Sequence, residues 1–254
     1  MTPLFALAGN TARELARNKL LYLIAIFCVL LILGSLLLTT LSIGQFERII
    51  NDVSLAGIQL SGVLVAIFIG VNLVAGEIDR RTVYITLAKP VSRTQFLVGK
   101  YLGLCATMLV LVAVMGAVLF ALLRTIAIAP GVATAGALVL IFVELCILAA
   151  FAMVFSSFTT QTLGVMFTAG VFLIGHLAGD LHAFAQRLGG TGGAVLSGIA
   201  SVIPNLDLLN LKVQAANRLP VTVPFIAHSA LYGLTYAAIA LSVAAFIFQR
   251  RDFK

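Results

Sequence analysis

The stretch GEIDRRTVYITLAKPVSRTQFLVGKYLG, residues 76–103, decides the fold by contrast with what surrounds it. It holds Glu77, Asp79, Arg80, Arg81, Lys89, Arg93 and Lys100. From it back to Leu55, and onward to Leu123, the chain is almost free of charge. A dense ionic segment between two long apolar runs reads as a loop joining two membrane spans.

The composition agrees. The 254 residues are 61% hydrophobic and only 10% charged, with a mean hydropathy of +1.15. A water-soluble domain is nearer half apolar and a quarter charged. Too little polar surface is present to cover a globule in water, which excludes a soluble multidomain protein. The net charge of +7 is better explained by the Lys/Arg bias that orients membrane helices than by nucleic-acid binding. Cys28, Cys105 and Cys146 all lie inside apolar runs. Their spacing suggests neither a metal nor a disulfide, so they read as small buried hydrophobes.

A spanning helix needs about 20 apolar residues, because the hydrocarbon core is about 30 Å thick. Six runs meet or approach that length: 20–40, 55–75, 101–123, 136–155, 162–177 and 224–248. The runs are continuous rather than alternating, so they predict helices and not a β-barrel. The first run is longer than the usual core of a signal peptide and follows a polar helix, so it is read as a retained span. With the N-terminus placed in the cytoplasm, eleven Lys/Arg fall inside and five outside. That asymmetry predicts cytoplasmic termini and a cytoplasmic loop at 76–100. The expected fold is therefore an all-α membrane protein with six transmembrane helices and both termini in the cytoplasm.

Thr2-Pro3 looks like a helix start. Leu4, Phe5, Ala8, Ala12, Leu15 and Ala16 then fall on one side, opposite Asn10, Arg13, Glu14, Arg17 and Asn18. Residues 1–19 thus predict an amphipathic helix along the inner membrane surface; a plain positive anchor is the simpler alternative. In the loop, 77–87 is helix-compatible, with its acids at the start where the helix dipole favours them. Pro90 stops that helix. Ser92 is placed to cap a new one running through Gln95 into the third span. The outer loop, 178–223, carries Gly189-Gly-Thr-Gly-Gly193 as a flexible hinge. An apolar patch at 194–203, too short to span, is expected to be re-entrant or interfacial. A turn and a half-apolar segment follow.

Candidate chemistry is sparse. Gly99-Lys100 lacks the Gly and Ser/Thr spacing of a phosphate loop, so the chain offers no nucleotide site of its own. Glu144 is the acid placed deep within a span. A carboxylate there costs about 2.5–3.5 kcal/mol on insertion scales. It reads either as a substrate-path or helix-contact residue, or as a protonated acid bonded to a neighbouring helix. No partner for it is evident in the sequence. His176 and His182 are six apart, where zinc on a helix prefers three or four, so an interfacial pair is the simpler reading. His228 reads the same way. Gly99-xxx-Gly103 and Gly175-xxx-Gly179 have the spacing of close helix packing, but 22 glycines make chance matches common. The loop cluster exceeds what charge orientation needs. Glu77 and Asp79 ahead of Arg80 and Arg81, with a helix broken at Lys89-Pro90, form a two-signed surface suited to docking a soluble partner. A stand-alone secondary transporter or channel is the alternative; it would need polar or broken spans near the midplane, for which Asn72 and Glu144 are thin support.

Three elements in order resemble one family. Glu77-Ile-Asp-Arg-Arg-Thr82, Leu87-Ala-Lys-Pro-Val-Ser-Arg93 and Leu97-Val-Gly-Lys100 resemble the loop signature of type-2 ABC (ATP-binding cassette) exporter permeases. Phe248-Gln-Arg-Arg-Asp252 is similar to that family's closing element. Ile203-Pro-Asn-Leu-Asp-Leu-Leu-Asn210 resembles an element of the branch that includes the copper-enzyme-maturation permease NosY.

The resemblance implies one permease domain over 1–254, a dimer with a second permease copy or homologue, and two ABC ATPase subunits bound below. It implies a bacterial inner-membrane location, with ATP and Mg on the partner ATPase and no cofactor in this chain. The helix from Glu77 to Lys89 would be the coupling helix. The implied ATPase-coupling surface is Glu77, Asp79, Arg80, Arg81, Thr82, Lys89, Pro90 and Arg93. Ser157, Phe158 and Thr159 would form a second contact, and 194–211 the short extracellular helices. Periplasmic or accessory proteins are further candidate partners. The substrate has no ligand motif. The apolar outer segments are compatible with a lipid cargo, and the branch resemblance points to copper-enzyme maturation.

Overall fold

The structure is a computed structural model that describes residues 3–39, 46–79, 92–129 and 131–250. These residues are helical, joined by short turns. Helix α1 (Pro3–Ala16) leads into α2 (Lys19–Thr39). Helix α3 (Phe46–Leu64) passes through a π-helical turn at Val65–Ile69 into α4 (Gly70–Asp79). Then come α5 (Arg93–Thr125), α6 (Val132–Ser156) and α7 (Gln161–His176). The segment after α7 forms α8 (Ala178–Leu188), α9 (Gly190–Val202), a 3-10 turn at Leu206–Leu209 and α10 (Lys212–Ala216). Helix α11 (Val223–Arg250) closes the described chain.

Five helical segments are long and apolar enough to cross a membrane by themselves. Helices α7 and α8, bent by 66° at their junction, pass the same test only together, which gives six crossings if the pair is one broken span and five if it is a re-entrant loop. The chain is thus a multi-pass membrane protein. The second span begins earlier than its hydropathy suggests. Helix runs unbroken from Glu47 to Ile78, because Asn51 and Ser54, which interrupt the apolar run, are buried against neighbours rather than exposed in a loop.

Helix α6 is the centre. Every residue from Val143 to Ala150 is buried, as expected of a helix that is apolar all round. Helix α11 meets it with a seam of small side chains, Ser229, Gly233, Ala237, Ala240 and Ala244, all buried. Seams of this kind let helices approach closely in lipid, where dispersion rather than water drives association. Helix α2 lies at the edge, packed on α3 and α5. Its Leu23, Ile26 and Leu30 face outward.

The two ends of the bundle differ. At one, called basal here, α1, the end of α4 and the start of α5 meet the end of α11. At the other, the capped end, residues 203–216 close over α3, α6 and α7.

Helix α1 is docked on α5 rather than only amphipathic. Leu7 packs on Gly99, and Thr11 with Ala8 on Gly103. The Gly99-xxx-Gly103 pair thus serves α1, not another span. This contact rotates the buried face from the one the periodicity suggests: Thr11 and Leu15 are buried, while Phe5 is 67% exposed. The turn between α8 and α9 uses Gly189 and Gly190, both at φ +60°, where a Cβ is disfavoured. The glycine cluster thus supplies the turn between the two helices, and its remainder lies inside α9.

A Cβ at Gly103 would lie 2.6 Å from Thr11 Cβ and 2.8 Å from the Ala8 carbonyl. Gly103→Val should therefore undock α1, at a cost of about 1–3 kcal/mol. Thermal unfolding in detergent should fall accordingly, and limited proteolysis should cleave near residue 17 sooner than in the unaltered protein.

Candidate functional site

Two polar clusters break the apolar interior, one at each end of the bundle. The basal cluster is built on Lys100, whose side chain is 6% exposed. A cation so enclosed needs opposite charge. Glu77 of α4 supplies a contact at 2.5 Å and Glu14 of α1 one at 3.7 Å. The ammonium also lies 5.8 Å from the Phe96 ring centroid, within the range of a cation–π contact. Phe96 in turn stacks on Phe248 of α11, with centroids 5.8 Å apart. One lysine thus holds α1, α4 and α5 together, and reaches α11 through a stacked pair.

Just before α5, Ser92 caps the helix. Its hydroxyl accepts from the Gln95 amide at 3.1 Å, and its own amide donates to Gln95 Oε1 at 3.2 Å. This reciprocal pair is a capping box, and it sets the start of α5 where the sequence places it. Arg93 donates to the Gln249 carbonyl at 3.2 Å, and Gln249 Nε2 to Thr94 Oγ1 at 2.7 Å. A guanidinium beside the last carbonyls of α11 suits both their hydrogen-bonding need and the helix dipole.

Of the expected coupling surface, the structure places Glu77 and Arg93 in these contacts. Arg80, Arg81, Thr82, Lys89 and Pro90 lie outside the described residues, as does most of the expected helix at 77–87. Asp79 ends α4. The turn between α6 and α7 sits at the same end: Ser156 Oγ donates to the Val71 carbonyl at 3.2 Å, and Gly164 packs on Val71. Its three residues do not form one surface. Phe158 is exposed and Thr159 half-buried, but Ser157 is fully buried, its hydroxyl donating to Met153 O at 2.7 Å. Of the three, Phe158 and Thr159 are accessible, while the Ser157 hydroxyl is satisfied on the preceding helical turn.

The second cluster surrounds Glu144. This residue lies twelve positions from each end of α6 and is 1% exposed. Gln59 Nε2 of α3 is 2.9 and 2.7 Å from its two carboxylate oxygens. The same nitrogen is 3.2 Å from His176 Nε2. His176 Nδ1 lies 3.1 Å from the Phe172 carbonyl. That carbonyl can only accept, so Nδ1 carries a proton and neutral His176 presents Nε2 as an acceptor. Lys212 of α10 donates to Gln59 Oε1. The orientation of the Gln59 amide follows from the chemistry: its oxygen meets the cation and its nitrogen meets the acceptors. One glutamine so bridges an acid and a base, and the cluster joins α3, α6, α7 and α10.

Lys212 reaches this depth because the capped segment is inserted. Leu206, Leu209 and Leu211 are buried. Leu209 packs near Gly233 and Val143, Leu211 near Gly136, and Leu206 on Gly175. A Cβ at Gly175 would lie 3.0 Å from the Pro204 carbonyl. Irregular backbone at such depth must be satisfied by protein. Tyr232 Oη accepts from the Asn205 amide at 2.9 Å, Asn205 Oδ1 from Asp207 N at 3.1 Å, and Asn210 Oδ1 from Lys212 N at 3.2 Å. The inserted piece is therefore 204–211. Residues 194–203 largely form α9, which packs on α8.

Sequence reasoning missed Gln59, His176 and Lys212 as partners of Glu144. The one available signal was an amide, Gln59, inside an apolar span. His182 does not join the cluster, and His228 Nδ1 bonds the Pro224 carbonyl at 2.7 Å. Among the described residues no group of His, Cys, Asp and Glu is arranged to hold a metal.

Two substitutions test the clusters. Glu144→Leu should lower stability by about 1–2 kcal/mol, since it strands the buried Gln59 amide nitrogen. Glu144→Gln should recover most of that loss in thermal unfolding. Lys100→Met should cost about 1–3 kcal/mol, less than the ~3–5 of a fully buried broken pair, because Glu77 keeps some water.

No curated protein matches the chain. The family model described as ABC-2 family transporter protein matches residues 33–253, from within α2 to beyond α11. The family is a membrane transport component, not itself the catalyst, and membership implies partnership with ABC ATPase subunits. With its helical bundle and its apolar spans, the chain belongs to the ABC-2 transporter family as a membrane permease component.

Proposed function

We propose that this chain is the permease subunit of an ATP-driven exporter, with its basal end and both termini in the cytoplasm of a bacterial cell. Two separate ATPase subunits dock on residues 77–93 and on Phe158 and Thr159. A second permease copy or homologue completes the transporter. ATP and Mg act in the partner chains.

The observation that carries this reading is the anchoring on both sides of residues 80–91. Before them, Glu77 is tied to Lys100 and through it to α1. After them, Arg93 and Thr94 are tied to the end of α11. A force delivered through Glu77 on one side and Arg93 on the other meets these contacts first. It passes into α4, α5, α1 and α11 together, and so into the packed core. Arg80 and Arg81 beside Glu77 and Asp79 supply the two-signed charge that selects and orients a docking partner. The Lys/Arg asymmetry supports the cytoplasmic placement of this end. The Pro204–Asn210 element, with its paired asparagine caps, supports membership of the NosY-like branch.

The test is a gentle-detergent pull-down of the chain from its own membranes, followed by native mass measurement. A soluble subunit with its own phosphate loop should copurify, two per pair of permease chains. Arg80→Glu with Arg81→Glu should abolish that copurification while the permease still inserts. A chain that came down alone, and moved a solute in liposomes without ATP, would sink the reading.

A further inference from the structure

A cavity of about 570 Å³ lies between α1, α2 and α5. Its α2 wall includes Tyr22 and Ala25, and its α5 wall runs from Ala106 through Val110 to Met115. The α5 wall spans ten residues, about 14 Å from first to last at about 1.5 Å per residue. That is close to the depth of one leaflet, half of about 30 Å. The lining is apolar apart from Arg13, exposed on the α1 wall, Tyr22 on α2, and Thr107 on α5, whose hydroxyl is bonded to the Gly103 carbonyl. Tyr22, beside Arg13 at the start of α2, is 56% exposed and brings a hydroxyl to the same end. The nearest acid, Glu14, is turned to Lys100. Arg17 and Lys19, both exposed, lie at the α1–α2 junction. Among the described residues the guanidinium of Arg13 forms no ion pair or hydrogen bond within the chain.

From this arrangement we infer that the groove between α1, α2 and α5 holds one anionic phospholipid, its phosphate at Arg13 and Tyr22 and an acyl chain along α5. The chemistry is that of an amphiphile: the Arg13 cation and a tyrosine at the mouth, then a largely apolar channel of leaflet depth. A free phosphate would use the mouth and leave the channel without purpose. A second copy of the chain would fill the channel and leave Arg13 without a counter-charge. The inference does not depend on the ATPase partner. With the orientation proposed above, the site lies in the inner leaflet, whose anionic lipids are attracted to basic residues near the surface. The lipid would brace α1 and α2 against α5, the helix that Lys100 and Phe96 tie to the rest of the basal end.

The experiment uses the full chain with its copurifying partners, reconstituted in nanodiscs of equal phosphatidylglycerol and phosphatidylcholine. Detergent is then returned and the retained lipid is quantified by mass spectrometry. Phosphatidylglycerol should be retained over phosphatidylcholine by about fivefold, the effect of one cation near an anionic headgroup. Arg13→Gln, an exposed change, should bring the ratio to about one, whereas Arg124→Gln, far along α5, should leave it unaltered. Ala106→Phe, at an exposed position, should fill the channel and lower retention of both lipids. A photo-crosslinking residue at position 110 should label phospholipid. Equal retention of the two lipids, a ratio unmoved by Arg13→Gln, or a crosslink at 110 that joins two copies of the chain would overturn the inference.

Discussion

A carboxyl group at the middle of a buried helix must find donors within the protein, because hydrocarbon offers none. Glu144 imposes that constraint, and much of the capped end follows from it. Gln59 has to face α6, which sets the rotation of α3. The Gln59 oxygen then needs a donor of its own, and Lys212 supplies it only if α10 comes down into the bundle. For that descent, residues 204–211 must carry irregular backbone below the rim of the helices. Tyr232, Asn205 and Asn210 satisfy that backbone, while Leu206, Leu209 and Leu211 fill the space beside small residues on α6, α7 and α11. The short α7 and its bend into α8 leave room for the insertion.

The basal end obeys the same rule with the signs reversed. Lys100 is a buried cation, and Glu77 and Glu14 come from two different helices to meet it. The two clusters have different consequences. The capped one ties a lid segment to the centre of the bundle. The basal one ties together the elements on either side of residues 80–91, where the family relationship directs attention for an ATPase partner. Between them runs α6, buried on every side from Val143 to Ala150. Packed helices of this kind shift as units rather than bend continuously, so displacement at one end has a route to the other.

Much of this was legible from residues alone, for definite reasons. Long apolar runs predict spans because backbone polar groups in lipid must pair within the segment. Ser92 with Gln95 predicts a helix start because a capping box is local chemistry, three residues wide. The motifs from Glu77 to Lys100 pointed to the family that the 33–253 match shows. Reading went astray where the deciding contact was remote. Ser157 looked like loop surface but bonds the turn behind it. The Gly99-xxx-Gly103 pair looked like chance and is the seat of α1. Residues 204–211 read only as a turn and a half-apolar segment, yet they sit among the helices and carry Asn205, Asp207 and Asn210. It is those polar residues, able to satisfy a turn's backbone, that make insertion affordable.

The sequence by itself determined that this chain lives in a membrane, that it crosses by helices, where most of them begin and end, and which family it resembles. Those properties rest on composition, periodicity and short-range capping, all of which act within a few residues. The tertiary structure alone decided that Gln59, Glu144, His176 and Lys212 form one cluster, since the glutamine and glutamate are 85 positions apart and the glutamine and lysine 153. It alone decided that Lys100 is buried and that α1 sits on α5. The physical reason is common to both. An ionisable group at depth specifies that it needs hydrogen-bonding or oppositely charged partners, but which residue answers depends on how the helices rotate and pack.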